Sequence, residues 1–231
     1  MLRTSLALAL SLMFVAAAFA GDNELTEKEK AEGWLLLFNG KDHTGWMCNN
    51  GKEVATPVED GAIVPYKSGG YLVVYEKPFG DFTLKCDVRW EAEQCNSGIF
   101  FRVEDLNDPI NTGFEGQVLS GKGTGKHDMG AIYDLVGPTK NVTKPTGEWN
   151  TVEITCQGPV IRISVNGEQV SELNCDELDK PGLAGDGAKH KYKLKGEPRA
   201  VKDFARSGHL GFQDHGQKVW YKNVKLLPLN Q

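Results

Sequence analysis

Beyond its first twenty residues this 231-residue chain has no apolar run that approaches the roughly 20 residues a membrane helix needs. It has no C-x-x-C pair and no Cys/His spacing that would hold zinc through thiolates. A G-x-S-x-G elbow is missing, which disfavours esterase chemistry, and no Lys-Ser/Thr follows its glycine-rich loop at the spacing of a phosphate cradle. Excess positive charge is missing too. The 26 Lys and Arg against 31 Asp and Glu give a formal charge of −5, which argues against a nucleic-acid partner, because that binding is dominated by Lys and Arg contacts to phosphate. No internal repeat or low-complexity tract is evident. What these absences leave is a globular chain suited to a neutral or weakly polar small ligand.

The N-terminus carries Arg3, an apolar run from Leu6 to Phe19, and Ala18-Phe-Ala20 before Gly21. This is the pattern of a cleavable secretory signal, so residues 1–20 are expected to be removed and the mature protein to be periplasmic or secreted, with no membrane insertion afterwards. No Cys follows the cleavage site to take a lipid anchor. Residues 21–33 form a charged leader, in which Thr26 before two glutamates suits a short helix over Leu25 to Ala31. Five cysteines in an exported chain permit at most two bridges, with one thiol left over. Cys86 and Cys156 fall on the apolar parity of strands and read as small buried hydrophobes.

From Trp34 onward, short alternating runs are separated by Gly, Pro, Asn and Asp, the pattern of an all-β sandwich. Residues 34–228 are expected to form one antiparallel two-sheet jelly roll, since all-β units of this length are routinely single. The clearest strands are Phe82 to Trp90, Gly98 to Val103, Phe114 to Leu119, Ala131 to Leu135, Asn150 to Cys156, Val160 to Val165, His209 to Gln213 and Val219 to Leu226. Their parity nominates Leu84, Val88, Ile99, Phe101, Ile154, Ile163 and Phe212 for the space between the sheets. Asn166-Gly167 predicts a type I′ hairpin turn. Residues 176–201, rich in Gly, Lys, Asp and Pro, read as a long surface excursion, more a plain solvated loop than an active-site rim.

The same parity leaves polar residues on the other face: Arg102 and Phe100 on one strand, Glu115 and Gln117 on the next, and Gln213 at the end of another, handing over to Asp214 and His215 in a turn. A carboxylate, a guanidinium, carboxamides and an imidazole on one face suit a small carbohydrate. His127, in Lys122-Gly-Thr-Gly-Lys-His-Asp-Met-Gly130, falls near the rim of that face. Trp46, Trp149 and Trp220 read as packing rather than as sugar platforms. Glu115, His127 and His215 leave a divalent metal open without diagnostic spacing, and no other cofactor is implied. Glu115-Gly-Gln117 offers one carboxylate where a retaining glucanase needs two about 5 Å apart, so a conventional glycosidase fits poorly.

Six motifs occur in order: Leu37-Phe-Asn-Gly-Lys-Asp-His-Thr-Gly-Trp46, Asn96-Ser-Gly-Ile-Phe-Phe-Arg102, Gly113-Phe-Glu-Gly-Gln117, Gly130-Ala-Ile-Tyr133, Gly147-Glu-Trp-Asn150 and Gln213-Asp-His-Gly216. Together they resemble the 3-keto-disaccharide hydrolase domain family, from about Trp34 to about Leu227. The resemblance implies a concanavalin A-like jelly roll of the lectin and glucanase type acting on oxidised glycosides. A ketone at sugar C3 acidifies the C2 proton, so a base can remove it, the C1 substituent can leave by elimination, and water can then add. In that reading Glu115 or His215 is the general base, Arg102 stabilises developing negative charge, Gln117 and Gln213 position hydroxyls, and Asp214 orients His215 or binds sugar. The rival readings are a non-catalytic carbohydrate-binding module or lectin, for which so many ionisable groups would be superfluous, and a structural or adhesion domain with no convergent polar face. The oligomeric state is not indicated.

Overall fold

The computed structural model describes residues 21–229, so the expected signal segment lies outside the described residues. Helix α1 (Glu27–Glu32) stands where the charged leader suggested one. Its first turn is closed by a capping box in which Glu29 N donates to Thr26 Oγ1 at 3.1 Å and Thr26 N donates to Glu29 Oε2 at 2.9 Å. Gly33, at φ +88°, ends it in the left-handed conformation that a Cβ would disfavour.

Thirteen strands follow: β1 (Leu35–Leu36), β2 (Trp46–Cys48), β3 (Leu72–Tyr75), β4 (Phe82–Trp90), β5 (Asn96–Val103), β6 (Phe114–Leu119), β7 (Asn150–Gln157), β8 (Val160–Val165), β9 (Glu168–Asn174), β10 (Lys193–Leu194), β11 (Glu197–Pro198), β12 (His209–Gln213) and β13 (Val219–Pro228). A six-stranded sheet of order β1-β13-β4-β7-β8-β9 faces a five-stranded sheet of order β2-β3-β12-β5-β6, with antiparallel pairing throughout, while β10 and β11 form a separate ribbon. This is the expected all-β sandwich. Residues along β4 alternate strictly between buried and half-buried, because one face meets the other sheet and the other meets water. Leu84, Val88, Ile99, Phe101, Ile154, Ile163 and Phe212 all join the main buried cluster between the sheets. The turn between β8 and β9 has Asn166 at φ +50° and Gly167 at φ +82°, as a type I′ turn requires.

Three local features depart from alternation. Residues 131–135 make no strand. Ile132 forms isolated bridges with Gly116 and Val136, and the chain turns through Asp134 at φ +65°. This segment nevertheless covers the outer edge of β6: Gly130 N donates to Gln117 O (3.0 Å), Gln117 N to Ala131 O (2.9 Å) and Tyr133 N to Glu115 O (2.9 Å). The second departure is a bulge in β5, where one residue of β12 (Leu210) lies opposite two of β5 (Phe101 and Arg102), with Arg102 at φ +50°. The third is a register shift in β13 between Lys222 and Lys225, with Asn223 at φ +53°. There Asn23 N donates to Asn223 Oδ1 at 2.5 Å and Asn223 N donates to Asn23 Oδ1 at 2.9 Å, which ties the start of the described chain to its last strand. All five cysteines are buried and unbridged.

Candidate active site

The face of the five-stranded sheet turned away from the main core holds a small apolar patch of Leu72, Val74, Phe100 and Val103. Beside it the strand register lines up polar groups. Gly98 pairs with Gln117 on β6, and the alignment of Phe212 with Ile99 sets Gln213 beside Gly98 on its other side. Gln213, Gly98 and Gln117 therefore form one row across three strands. With neighbouring strands about 4.8 Å apart, the two glutamines stand roughly 10 Å apart with a glycine floor between them. In the adjoining row Phe100 pairs with Glu115. The Glu115 carboxyl leans over Gly98, where a Cβ would meet its Oε1 at 2.4 Å. Only glycine leaves that space free.

Both glutamines present an unused acceptor. Gln117 donates from Nε2 to Asn96 Oδ1 (2.9 Å) and Gln213 from Nε2 to Tyr71 Oη (2.5 Å). Their Oε1 atoms are buried and have no protein partner. Such a group costs free energy unless something bonds to it, and a pair of acceptors on this spacing fits the hydroxyls of one sugar ring.

Glu115 is buried, its side chain 4% exposed. Burial pushes its pKa up to about 7, against the opposing pull of Lys191, whose Nζ lies 3.6 Å from Oε2, and of the His127 imidazole. Desolvation wins, so near neutrality the group exchanges a proton readily, as a general base should. Lys191 comes from the long excursion and sits 3.9 Å above the Tyr133 ring. Its position is secured on both sides. Its own N–H donates to Asp134 Oδ2 (2.6 Å), and the hydroxyl of the next residue, the buried Tyr192, donates to Tyr133 O (2.8 Å). The other oxygen of Asp134 accepts from His127 Nε2 (3.1 Å), and the His127 ring stacks on Tyr133 at 4.5 Å. Asp134 thus joins the glycine-rich loop to the excursion at the rim beside Glu115.

The structure brings Glu115, Gln117 and Gln213 onto one face, with His127 at its edge, and sends Arg102 away from them. Arg102 is a correction. The bulge reverses the alternation after Phe101, sending Val103 to the outer patch and the Arg102 side chain inward. There it is fully buried, donating to Asp81 Oδ1 (2.8 Å), Gly158 O (2.9 Å) and Gly80 O (3.3 Å), and it does not reach Glu115. Asp214 does not orient His215: its oxygens accept Lys67 N (2.8 Å), from the loop before β3, and Gly216 N (2.9 Å), which closes its own turn. His215 itself is exposed in that turn, and the imidazole whose charge acts on Glu115 is that of His127. Among the described residues no three His, Cys, Asp or Glu side chains group to hold a metal ion. Trp46 is core, stacked on Phe212 at 5.3 Å, while Trp149 and Trp220 flank Arg89 of the other sheet.

Sequence reasoning missed Lys191 and Tyr71. The signal for Lys191 was Tyr192, an aromatic in an otherwise charged loop, which packs edge-on against Phe204 and pins the excursion. Tyr71 follows Ser68-Gly-Gly70 at the head of a strand too short to stand out.

The 3-keto-alpha-glucoside-1,2-lyase-like domain family matches residues 33–227 of this chain. A 3-keto-disaccharide hydrolase of Bacteroides thetaiotaomicron is 25% identical over 237 aligned positions, covering 87% of this chain and 80% of the relative. A Parabacteroides distasonis protein provisionally described as a glycosyl hydrolase has a crystal structure that superposes with a TM-score of 0.73 at 31% identity, over 91% of this chain and all of the other. A second protein of that organism, described in the same way, gives 0.72 at 26% identity, over 85% and 99% of the two chains. With its fold, its ordered motifs and nearly its whole described length in agreement, the chain belongs to the 3-keto-alpha-glucoside-1,2-lyase-like domain family.

Proposed function

We propose that this protein is a carbohydrate-active enzyme that cleaves 3-keto-glycosides by removing the C2 proton, expelling the C1 substituent and adding water to the resulting enone. The observation that carries the reading is a single buried carboxyl, Glu115, poised near neutrality beside a cation and two unpartnered carboxamide oxygens. A keto-sugar needs one base and a means of stabilising an enolate, and the site supplies those parts. Glu115 takes the C2 proton. Lys191, in the place that parity had given to Arg102, offsets the charge that develops on the C3 oxygen. Gln117 and Gln213 accept hydroxyl protons and set the ring over Gly98, so that C2 meets the carboxylate.

The test is turnover of a 3-keto-disaccharide beside its unoxidised parent. The keto substrate alone should be cleaved, a C2-deuterated version should react more slowly where proton removal limits the rate, and Glu115→Gln should lower turnover by about 10² or more with the fold unchanged. Equal cleavage of both sugars, or an unimpaired Glu115→Gln, would sink the elimination mechanism. Sugar binding without cleavage would return the protein to the binding-module class.

A further inference from the structure

Elimination needs a proton for the departing oxygen as well as a base for C2, and Glu115 can serve only one of these at a time. We propose that Tyr71 is the general acid of this site, giving its phenolic proton to the glycosidic oxygen as the C1–O bond breaks; this rests on the reading of the site given above. Three observations place it there. Gln213 Nε2 donates to Tyr71 Oη at 2.5 Å, so the oxygen is held as an acceptor while no acceptor among the described residues takes its proton. The Tyr71 ring stands edge-on to Phe100, at 5.9 Å and 79°, and Phe100 is the cross-strand partner of Glu115. Glu115 leans over Gly98, and Gln213, which holds the phenol, lies beside Gly98 on the next strand. Acid and base thus lean toward the same glycine floor from opposite sides, Tyr71 from the head of β3 by way of Gln213 and Glu115 from β6.

The electrostatics agree with this geometry. Burial, helped by the neighbouring Glu115 and Tyr133 and opposed by the Gln213 bond, pushes the Tyr71 pKa up to about 12. The phenol therefore stays protonated at neutral pH, and its proton affinity is closer to that of a sugar alkoxide than an ordinary carboxylic acid's would be.

The proton account closes. Glu115 removes H2, the C2–H pair becomes the C1=C2 bond, the C1–O bond breaks, and the leaving oxygen takes the Tyr71 proton to depart as an alcohol. Water then adds at C1, giving a proton to the Tyr71 phenolate, while Glu115 returns its proton to C2. The products are an alcohol and a 3-keto-sugar, and both side chains end as they began.

A leaving group that needs no proton separates this role from a structural one. Wild type, Tyr71→Phe, Gln213→Ala and Glu115→Gln would be compared on a 3-keto-disaccharide, whose leaving group is an alkoxide, and on a nitrophenyl 3-keto-glucoside, whose leaving group departs as a stable phenolate. Tyr71→Phe should lose about 10² or more in kcat on the disaccharide and less than tenfold on the nitrophenyl substrate. Gln213→Ala breaks the same hydrogen bond but keeps the phenolic proton, so it should slow both substrates by similar factors. Equal losses on both substrates in Tyr71→Phe, or no loss on either, would overturn the assignment. If Glu115→Gln abolishes both activities while Tyr71→Phe shows no leaving-group dependence, Tyr71 alone falls. If wild type cleaves neither keto substrate, the reading of the whole site falls and takes Tyr71 with it.

Discussion

Glu115 is held in conflict between a dry environment and a nearby cation, and the conflict has a sign. Its carboxyl titrates at about 7 in the folded protein against an ordinary value of 4.5. Between those values the native state keeps a proton that the unfolded chain has released, so stability falls as pH rises from 4.5 through 7 and stays lower above it. The cost is of the order of a few kcal/mol. Glu115→Gln, which carries no charge to desolvate, should therefore melt above wild type at pH well over 7, with the gap closing below pH 4.5; thermal unfolding across that range checks it. Activity should run the other way, rising as pH climbs through about 7 because the base must be ionised. Removing the opposing cation with Lys191→Met should move that ascending limb to higher pH and lower kcat, and a kcat–pH profile measures both effects. An unshifted limb would show that Lys191 does not act on the carboxylate.

One inserted residue in β5 decides which side chains reach the site. Alternation carries Ile99 and Phe101 into the core and leaves Gly98 and Phe100 outside. The left-handed turn of Arg102 then reverses it, so a residue read as an active-site cation becomes the centre of a buried ion pair with Asp81. Removing one partner of such a pair typically costs 3–5 kcal/mol. Arg102→Met should accordingly lower the melting temperature by many degrees, yet the folded fraction should keep wild-type kcat; loss of turnover without loss of stability would restore the catalytic assignment. The same bulge marks how far the sequence could be read. Strands such as β4, β7 and β8 are legible because each buries one face, and period-2 alternation leaves its mark on every second residue. Glu115, Gln117 and Gln213 share an outer face for that reason. A bulge, by contrast, depends on how two distant strands align, and no local pattern at Phe101-Arg102 announces it. Lys191 depends still more on tertiary contact, since its loop is ordered by Tyr192 against Phe204 and by Asp134, neither of which residue periodicity reveals.

At the scale of the whole molecule the five cysteines act as filler for the sandwich. Burial pushes the Cys48, Cys86, Cys156 and Cys175 thiols up, so they are poor nucleophiles in the folded state. A thiol-reactive chromophore should find almost none of the five in native protein and all of them after denaturation, without reductant; fewer than five would reveal a bridge. We propose that the chain is exported with cleavage after Ala20, in which case N-terminal sequencing of protein from its host should begin at Gly21, and material in the cytoplasm starting at Met1 would overturn the proposal. The place of β13 then acquires a meaning. It is the last strand of the described residues, yet it lies inside the six-stranded sheet, between β1 and β4, and its Asn223 is laced to Asn23. The order of synthesis and the order of assembly run against each other. Until the chain is complete past Pro228, β1 has no neighbour and one edge of β4 stays open, so a partial chain lacks the strand that joins its beginning to the sheet. If the proposed export threads the chain unfolded through a narrow channel, a keystone strand delivered late would hold back completion of the sheet through topology alone.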